Sequence, residues 1–283
     1  MALFEQVLEA VQAVQERAAL KPVVALILGS GLGDLATEIA EPIVIPYAGI
    51  PHFARSTVKG HAGRLVIGLL ENVPVVAMQG RFHLYEGYSL QVLTLPVRVM
   101  RQLGAHTLIV TNAAGGVNPA YRPGDFMLLR DHINMPGLAG ANPLMGPNDE
   151  RFGERFPPLA NAYNAELRKI AHSVAAAWPE ITLHEGVYTM VGGPNYETGA
   201  ELRFLRAVGT DAVGMSTVPE VIVARHSGMR VLGLSLITNT ATGSEMEEVN
   251  HAEVLAAADA VRPHFAAMVR GIVREISHLT STS

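Results

Sequence analysis

Small and polar residues that could bind an anion or a flat ring follow directly on short apolar runs. Five such places occur along the chain: GSGLG at 29–33, GRFHLY at 80–85, NAAGG at 112–116, Ser216-Thr217, and Asn239. In open α/β sheets, ligands bind in the crevice outside the carboxyl ends of the strands. The sequence therefore predicts one composite site, assembled from five strand ends.

The glycine-rich segment at 29–33 is better suited to a small anion than to a dinucleotide. The dinucleotide fingerprint requires a third glycine at position 34, where this chain has Asp34, whose charge would repel a pyrophosphate. Free backbone N–H groups in a tight turn can form a nest for one anion, and Ser30 adds a hydroxyl. A glycine turn that binds no ligand is the alternative.

Alternating side chains in the second segment, at 80–85, could bind an anion and a sugar attached to it. Arg81, His83 and Tyr85 point to one face if the segment is extended. Arginine offers a planar fork to phosphate oxygens, histidine can donate a further bond, and Tyr85 could flank an attached sugar. A surface ion pair with a packed tyrosine is the alternative. The small residues at 112–116 would let a ligand approach the backbone, or only close-pack a turn.

Two predicted helix starts place further polar groups. Thr198 and Glu201 form a capping-box pattern, so Glu197 lies beside a helix N-terminus whose dipole is expected to keep it ionised. Tyr196 could stack on a ring; a charged cap without a ligand is the alternative. The sequence TVPE at 217–220 predicts a second helix start and leaves Met215 and Ser216 at a strand–helix junction, where Met215 could equally belong to the core.

The elements that must position these residues follow from hydrophobic periodicity. Helical spacing predicts helices at 2–19, 89–103, 161–177, 198–208, 217–227 and 250–277, the last kinked or divided by Pro263. Apolar runs predict strands at 23–28, 64–70, 73–79, 107–111, 126–130, 186–191, 211–215 and 230–238. Continuous apolar strands are buried on both faces. We therefore expect an α/β fold with a central mixed, largely buried sheet surrounded by helices, in a single domain over residues 1–283. The Pro- and Gly-rich segments 46–63 and 134–160 are expected to be functional loops.

Composition excludes several classes of function. The 283 residues include no cysteine, which rules out disulfides and thiolate chemistry, and the net charge of −5 comes with no basic stripe for nucleic acid. No metal-binding motif, signal peptide or membrane-spanning run is found. We expect no metal, no nucleic-acid or membrane partner, and a cytoplasmic location.

Ten motifs occur in the order found in one family. They are GSGLG, HAGRLVIG, GRFHLYEGY, TNAAGGVNP, GDFMLLRDHIN, GPNDERFGERFP, GGPNYET, GMSTVPE, LITN and NHAEVL, and they extend from about residue 24 to 254. This series resembles the trimeric purine nucleoside phosphorylases, a family whose relatives include methylthioadenosine phosphorylases. The resemblance implies a homotrimer with sites near the subunit interfaces.

The resemblance also implies a role for each matched residue. Inorganic phosphate would be held by Ser30, His61, Arg81, His83, Ser216 and the backbone of Ala113. The ribose would be contacted by Tyr85, Met215 and His251, and the purine by Tyr196, Glu197 and Asn239. Phe156 would reach into a neighbouring subunit's site. The residues implied in catalysis are Asn239, Glu197 and His83.

The activity implied is cofactor-free phosphorolysis, with inorganic phosphate as co-substrate, in purine salvage. Asn239, Ser216 and His251 follow the pattern of enzymes acting on hydroxylated nucleosides, whereas the methylthioadenosine relatives have Asp, Thr and an apolar residue there. We therefore expect inosine, guanosine and their 2′-deoxy forms as substrates. A methylthioadenosine- or adenosine-type phosphorylase, a non-catalytic nucleoside-binding protein and a nicotinamide dehydrogenase are the alternatives. Tyr196, where the family often has Phe, and the segment 240–243 depart from the family pattern.

Overall fold

The computed structural model describes residues 2–58, 60–243 and 251–280, and only the backbone of 251–253 and 278–280. In that part of the chain the helices are α1 Leu3–Gln15, α2 Leu90–Gln102, α3 Met135–Leu138, α4 Ala165–Ala175, α5 Gly199–Ala207, α6 Val218–His226 and α7 His251–Thr280. The strands are β1 Val24–Leu28, β2 Ala40–Pro46, β3 Arg64–Leu70, β4 Val73–Gln79, β5 Thr107–Gly116, β6 Phe126–Asn134, β7 Leu183–Met190, β8 Ala212–Gly214 and β9 Arg230–Thr240.

The strands form one mixed sheet in the order β2-β3-β4-β1-β5-β8-β7-β6-β9, and β9 also pairs with β5. Because β5 and β9 pair in parallel from end to end, the last five strands of that order close into a ring. The strands β4, β1 and β5 are parallel neighbours, so their carboxyl ends lie at one edge. The prediction of a mixed α/β sheet surrounded by helices is confirmed.

Side chains of β1 alternate between two cores, as the period of a strand requires. Ala25 and Ile27 pack into a cluster that includes buried residues of α1, α2 and α6. Val24, Leu26 and Leu28 pack into a second cluster with residues of α4 and α7. Because both faces are covered by helices, β1 is apolar at every position, and this pattern made it recognisable in the sequence.

Three sequence-based expectations about the elements are wrong. The strand β2 was missed because most of its residues are exposed and it contains proline, as edge strands tolerate. The segment 112–116 continues β5 instead of following it, since its small residues pair with β9 as far as Gly116. Residues 251–280 form one helix, so Pro263 does not divide it, and a kink at Pro263 stays a prediction.

None of the described helices is long and apolar enough to cross a membrane.

Candidate active site

A cleft at the carboxyl ends of the strands brings together all five predicted places. It is lined by Gly29, Ser30, Arg81, His83, Tyr85, Asn112, Ala113, Ala114, Gly115, Tyr196, Glu197, Val213, Gly214, Met215, Ser216, Thr238, Asn239 and Val254. Arg81 and Glu197, 116 positions apart in sequence, thus line the same cleft. The prediction of one composite site is confirmed.

Arg81 lies at the floor of this cleft, and both terminal nitrogens of its guanidinium are hydrogen-bonded to the protein. Nη1 donates to Ser216 Oγ at 2.8 Å and to Thr217 Oγ1 at 3.1 Å, and Nη2 donates to the Thr111 carbonyl at 2.6 Å. Nε lies 3.5 Å from a carboxylate oxygen of Glu220, and both side chains are almost completely buried. Arg81 therefore places a positive charge at the base of the cleft in one fixed orientation.

His61 does not line the cleft, but it contacts two residues that do, Ser30 and Arg81. Its Nε2 lies 3.2 Å from Ser30 Oγ, and its Nδ1 contacts the backbone N–H and carbonyl of Arg81 at 3.1 and 3.0 Å. Burial, followed by the nearby charge of His83, lowers the pKa of His61 to about 4. The ring is therefore neutral near pH 7, and its contact with Ser30 is a neutral hydrogen bond.

His83 is held between two rings and a carboxylate. Its ring stacks on His61 at 5.2 Å and on Tyr85 at 4.7 Å between centroids. Its Nδ1 lies 3.2 Å from Glu86 Oε1, and Glu86 Oε2 accepts from the backbone N–H and the hydroxyl of Thr57. Burial raises the pKa of Glu86, but the hydrogen bonds from His83 and Thr57 outweigh it and lower that pKa to about 2. The ionised carboxylate orients the imidazole, so Nε2 is free to face a ligand.

Two glycines permit the close approach of backbone segments at the cleft. A Cβ on Gly29 would lie 2.8 Å from the Thr111 carbonyl oxygen, and one on Gly115 would lie 3.2 Å from Asn239 Nδ2. Asn239 Oδ1 accepts from the Thr238 hydroxyl at 3.1 Å. Gly115 thus makes room for the amide of Asn239 against the neighbouring strand β5.

The residues before α5 also line the cleft. The predicted capping box of Thr198 and Glu201 is present, so Glu197 precedes the first helical turn. Burial is the main influence on Glu197 and raises the pKa of its carboxyl. Burial thus acts against the helix N-terminus, and the expectation that the dipole helps to keep Glu197 ionised stays a prediction. Tyr196 is 42% exposed.

The cleft lining includes neither Phe156 nor His251. Phe156 is 84% exposed in the loop after α3 and does not line the cleft of its own chain. His251 begins α7, and its side chain lies outside the described part of the chain. The roles inferred for both residues remain predictions.

The sequence does not predict the orienting role of one group of residues, namely Glu86, Thr111, Asn112, Thr217 and Glu220. Asn112 and Thr217 stand within the five predicted places, but without a role of their own, and Glu220 belongs only to a predicted helix start. Their partners lie up to 136 positions away in sequence. No local pattern identifies them. The one available signal is that they lie near strand ends where ligand-binding residues are predicted.

Among the described residues, no group of three or more His, Asp or Glu side chains is arranged to hold a metal ion.

Comparison with known proteins gives consistent matches over most of the chain. The sequence profile of the phosphorylase superfamily matches residues 23–274. Purine nucleoside phosphorylase 1 of Bacillus subtilis is 55% identical over 254 residues, which cover 90% of this chain and 92% of that protein. Schistosoma mansoni purine nucleoside phosphorylase, solved with inosine and also with adenosine, superposes with a TM-score of 0.91 in both cases. These two structures are 44% and 45% identical to this chain, and each match covers 95% of this chain and 96% of that one.

Proposed function

This chain belongs to the phosphorylase superfamily, and on that premise we propose how its cleft carries out the phosphorolysis of purine nucleosides. The enzyme is a pentosyltransferase. The bond between C1′ and the purine breaks, a bond between C1′ and a phosphate oxygen forms, and the electron pair leaves with the base. The two products are pentose 1-phosphate and the free purine.

The observation that supports this assignment is the pairing of two chemically different ends in one cleft. We call the residues Ser30, Arg81, His83, Ala113 and Ser216 the phosphate end, and Tyr196, Glu197 and Asn239 the base end. Tyr85 and Met215 line the same cleft and would flank the ribose. An anion at one end and a leaving group at the other is the arrangement that phosphorolysis requires.

The phosphate end supplies hydrogen-bond donors and positive charge. The hydroxyls of Ser30 and Ser216 and the backbone N–H of Ala113 would donate to phosphate, with the buried Arg81 charge behind Ser216 and His61 supporting Ser30. Because Nδ1 of His83 faces the Glu86 carboxylate, Nε2 of His83 would donate to phosphate from the doubly protonated ring. The bound anion would stabilise the positive charge that develops on the ribosyl group as the base departs.

The base end stabilises the negative charge that develops on the departing purine. The amide of Asn239 would donate to N7, where that charge accumulates. Glu197 would accept the N1–H of a 6-oxopurine and bind the 2-amino group of guanine, and Tyr196 would stack on the ring. Asn239, Glu197 and His83 are the residues we assign to catalysis.

This base end favours 6-oxopurines. Adenine presents a lone pair at N1, which faces a carboxylate unfavourably, and a site that leaves such buried groups unpaired discriminates strongly. Inosine, guanosine and their 2′-deoxy forms are the proposed substrates. Since a relative has been solved with adenosine as well as inosine, the preference has to be measured as a ratio of kcat/KM values.

Assembly and cellular context are supported by the resemblance alone. In a homotrimer, the exposed ring of Phe156 would enter the site of a neighbouring subunit and be shielded from solvent there. Action without a cofactor or metal, with phosphate as co-substrate, in cytoplasmic purine salvage is part of the same proposal.

The deciding experiment incubates the protein with inosine and inorganic phosphate and follows hypoxanthine and ribose 1-phosphate. We expect both products in equal amounts and no reaction when phosphate is omitted or replaced by sulfate. Base release that does not depend on phosphate would identify a hydrolase and overturn the proposal. Sedimentation of the same sample tests the trimer.

A further inference from the structure

Thr217 has a backbone conformation that its side chain disfavours. Its φ of 77° and ψ of −52°, together with the hydrogen bond of 2.9 Å from Val218 N–H to the Ser216 carbonyl, define a γ-turn of the rare positive-φ kind. A β-branched residue in this region is a strained outlier, and such outliers persist where the surroundings over-determine them. Thr217 is completely buried, at the junction between β8 and α6.

The turn brings two successive side chains, Ser216 and Thr217, into contact with the same partner, Arg81. In an extended chain, the hydroxyls of Ser216 and Thr217 would point to opposite faces. Here their oxygens lie 3.2 Å apart, and both accept from Nη1 of Arg81, at 2.8 and 3.1 Å. The strained backbone thus serves to bring a second hydroxyl to the guanidinium, behind the one that lines the cleft.

The network fixes the direction of each hydroxyl. The Thr217 oxygen accepts from Arg81 and also from Asn112 Nδ2 at 2.8 Å, so both of its lone pairs are occupied. Its own O–H therefore donates, and Ser216 Oγ is within reach at 3.2 Å. Ser216 Oγ then accepts from Arg81 and Thr217, which leaves its O–H as the group available to the cleft. An oxyanion requires a donor at this point.

We propose that Thr217 is a positioning residue for phosphate: its hydroxyl holds the Ser216 hydroxyl in the donor orientation. This inference rests on the proposed phosphorolysis, because it assigns phosphate to the cleft. Thr217 itself need not touch phosphate, since Ser216 lies between it and the cleft.

Three substitutions separate the hydroxyl from the shape of the side chain and from the strain of the backbone. Thr217→Val keeps the branched shape and removes the hydroxyl, and Thr217→Ser keeps the hydroxyl. Thr217→Gly also removes the hydroxyl but relieves the unfavourable φ, because glycine adopts positive φ without steric cost. This last variant keeps the inference testable if the valine variant fails to fold.

The readouts are the KM for phosphate, the KM for inosine, and the affinity of the variants for inorganic phosphate alone by calorimetry. We expect Thr217→Val and Thr217→Gly to raise the phosphate KM and Kd about tenfold, a loss typical of one misdirected hydrogen bond to a charged group. The KM for inosine should stay within about twofold of wild type. For Thr217→Ser, the phosphate KM, the phosphate Kd and the inosine KM should all stay within about twofold of wild type.

Unchanged phosphate affinity in the folded Thr217→Val or Thr217→Gly protein would overturn the inference. So would an equal rise of both KM values, because a general loss of structure does not distinguish the two ends of the cleft. Wild-type protein without phosphate-dependent activity would instead refute the proposed function. The two failures are therefore distinguishable.

Discussion

The two ends of the cleft differ in how firmly they are built. At the phosphate end, Arg81 is 1% exposed, Ser216 is buried, and both belong to a network that reaches Thr111 of β5 and Glu220 of α6. At the base end, Tyr196 is 42% exposed, and Glu197 and Asn239 are half-buried. Donors for a small anion gain from being fixed in advance, because no reorganisation is then needed during the reaction. A purine must enter and leave, so its side of the cleft has to stay accessible. The difference predicts that substitutions at the phosphate end have larger and less selective effects.

The largest effect is expected from Arg81→Ala. It removes the charge at the base of the cleft and the donor that orients Ser216 and Thr217, so kcat/KM for phosphate should fall at least about a thousandfold. It also leaves Glu220 buried without a partner, which typically costs about 3–5 kcal/mol of the free energy of unfolding. Initial rates at varied phosphate and a thermal melt measure both.

The matched control for this experiment is Arg122→Ala, an exposed arginine outside the cleft. Its rates and melting temperature should equal those of wild type. An Arg81→Ala enzyme with unchanged phosphate dependence would show that the phosphate end lies elsewhere.

Asn239→Asp should have the next largest effect and act on selectivity. Replacing the donating amide by a carboxylate removes the stabilisation of the departing 6-oxopurine, so kcat/KM for inosine should fall about a hundredfold. Adenosine, whose 6-amino group can donate to a carboxylate, should lose less, and the inosine/adenosine ratio should drop. Competition between the two nucleosides measures the ratio directly, with exposed Asn161→Asp as control. An unchanged ratio contradicts our account of the base end.

Acidification should reveal Glu197 as a smaller, pH-dependent effect. Because burial raises its pKa, this carboxyl becomes protonated at a higher pH than an ordinary glutamate and can then no longer accept the N1–H. We expect kcat/KM for inosine to fall by about tenfold per pH unit below that pKa. The Glu197→Gln enzyme should be slower but lack this limb, whereas Glu180→Gln should keep the wild-type profile. Two identical profiles for wild type and Glu197→Gln would exclude the role.

Tyr196→Phe should change least. The ring that would stack on the purine remains, and substitutions at exposed positions usually alter free energies by no more than about 0.5 kcal/mol, which is roughly twofold in kcat/KM. Steady-state kinetics with inosine tests this expectation. A loss comparable to that of Arg81→Ala would mean that the base end is as rigidly built as the phosphate end.

Sequence reasoning located the strands well where both faces are buried. The runs 64–70 and 73–79 coincide with β3 and β4, because continuous apolar segments of this length have few other uses. It failed at β2, which is stabilised by its pairing with β3 and not by its own apolar residues. An edge strand such as β2 thus depends on pairing with a neighbouring strand, and the local sequence pattern does not reveal that pairing.

For the site, the sequence indicated the residues that line the cleft but not those that orient them. Ser30, Arg81 and Ser216 stand next to strand ends, where chemistry is expected. The positive φ of Thr217 follows from its bonds to Arg81 and Asn112, which lie 136 and 105 positions away. A β-branched residue gives no local reason to expect a left-handed backbone, so only tertiary structure could show it.

The span of the Arg81 contacts constrains the order in which the protein can be assembled. Arg81 meets Ser216 across 135 positions of sequence, and its countercharge Glu220 is four residues further on. A chain emerging from the ribosome has therefore made β1, β4 and β5 long before the carboxylate that neutralises this guanidinium exists. An early fragment that closed around Arg81 would bury an uncompensated charge, which is costly. The region around Arg81 is accordingly expected to close only after α6 has been synthesised.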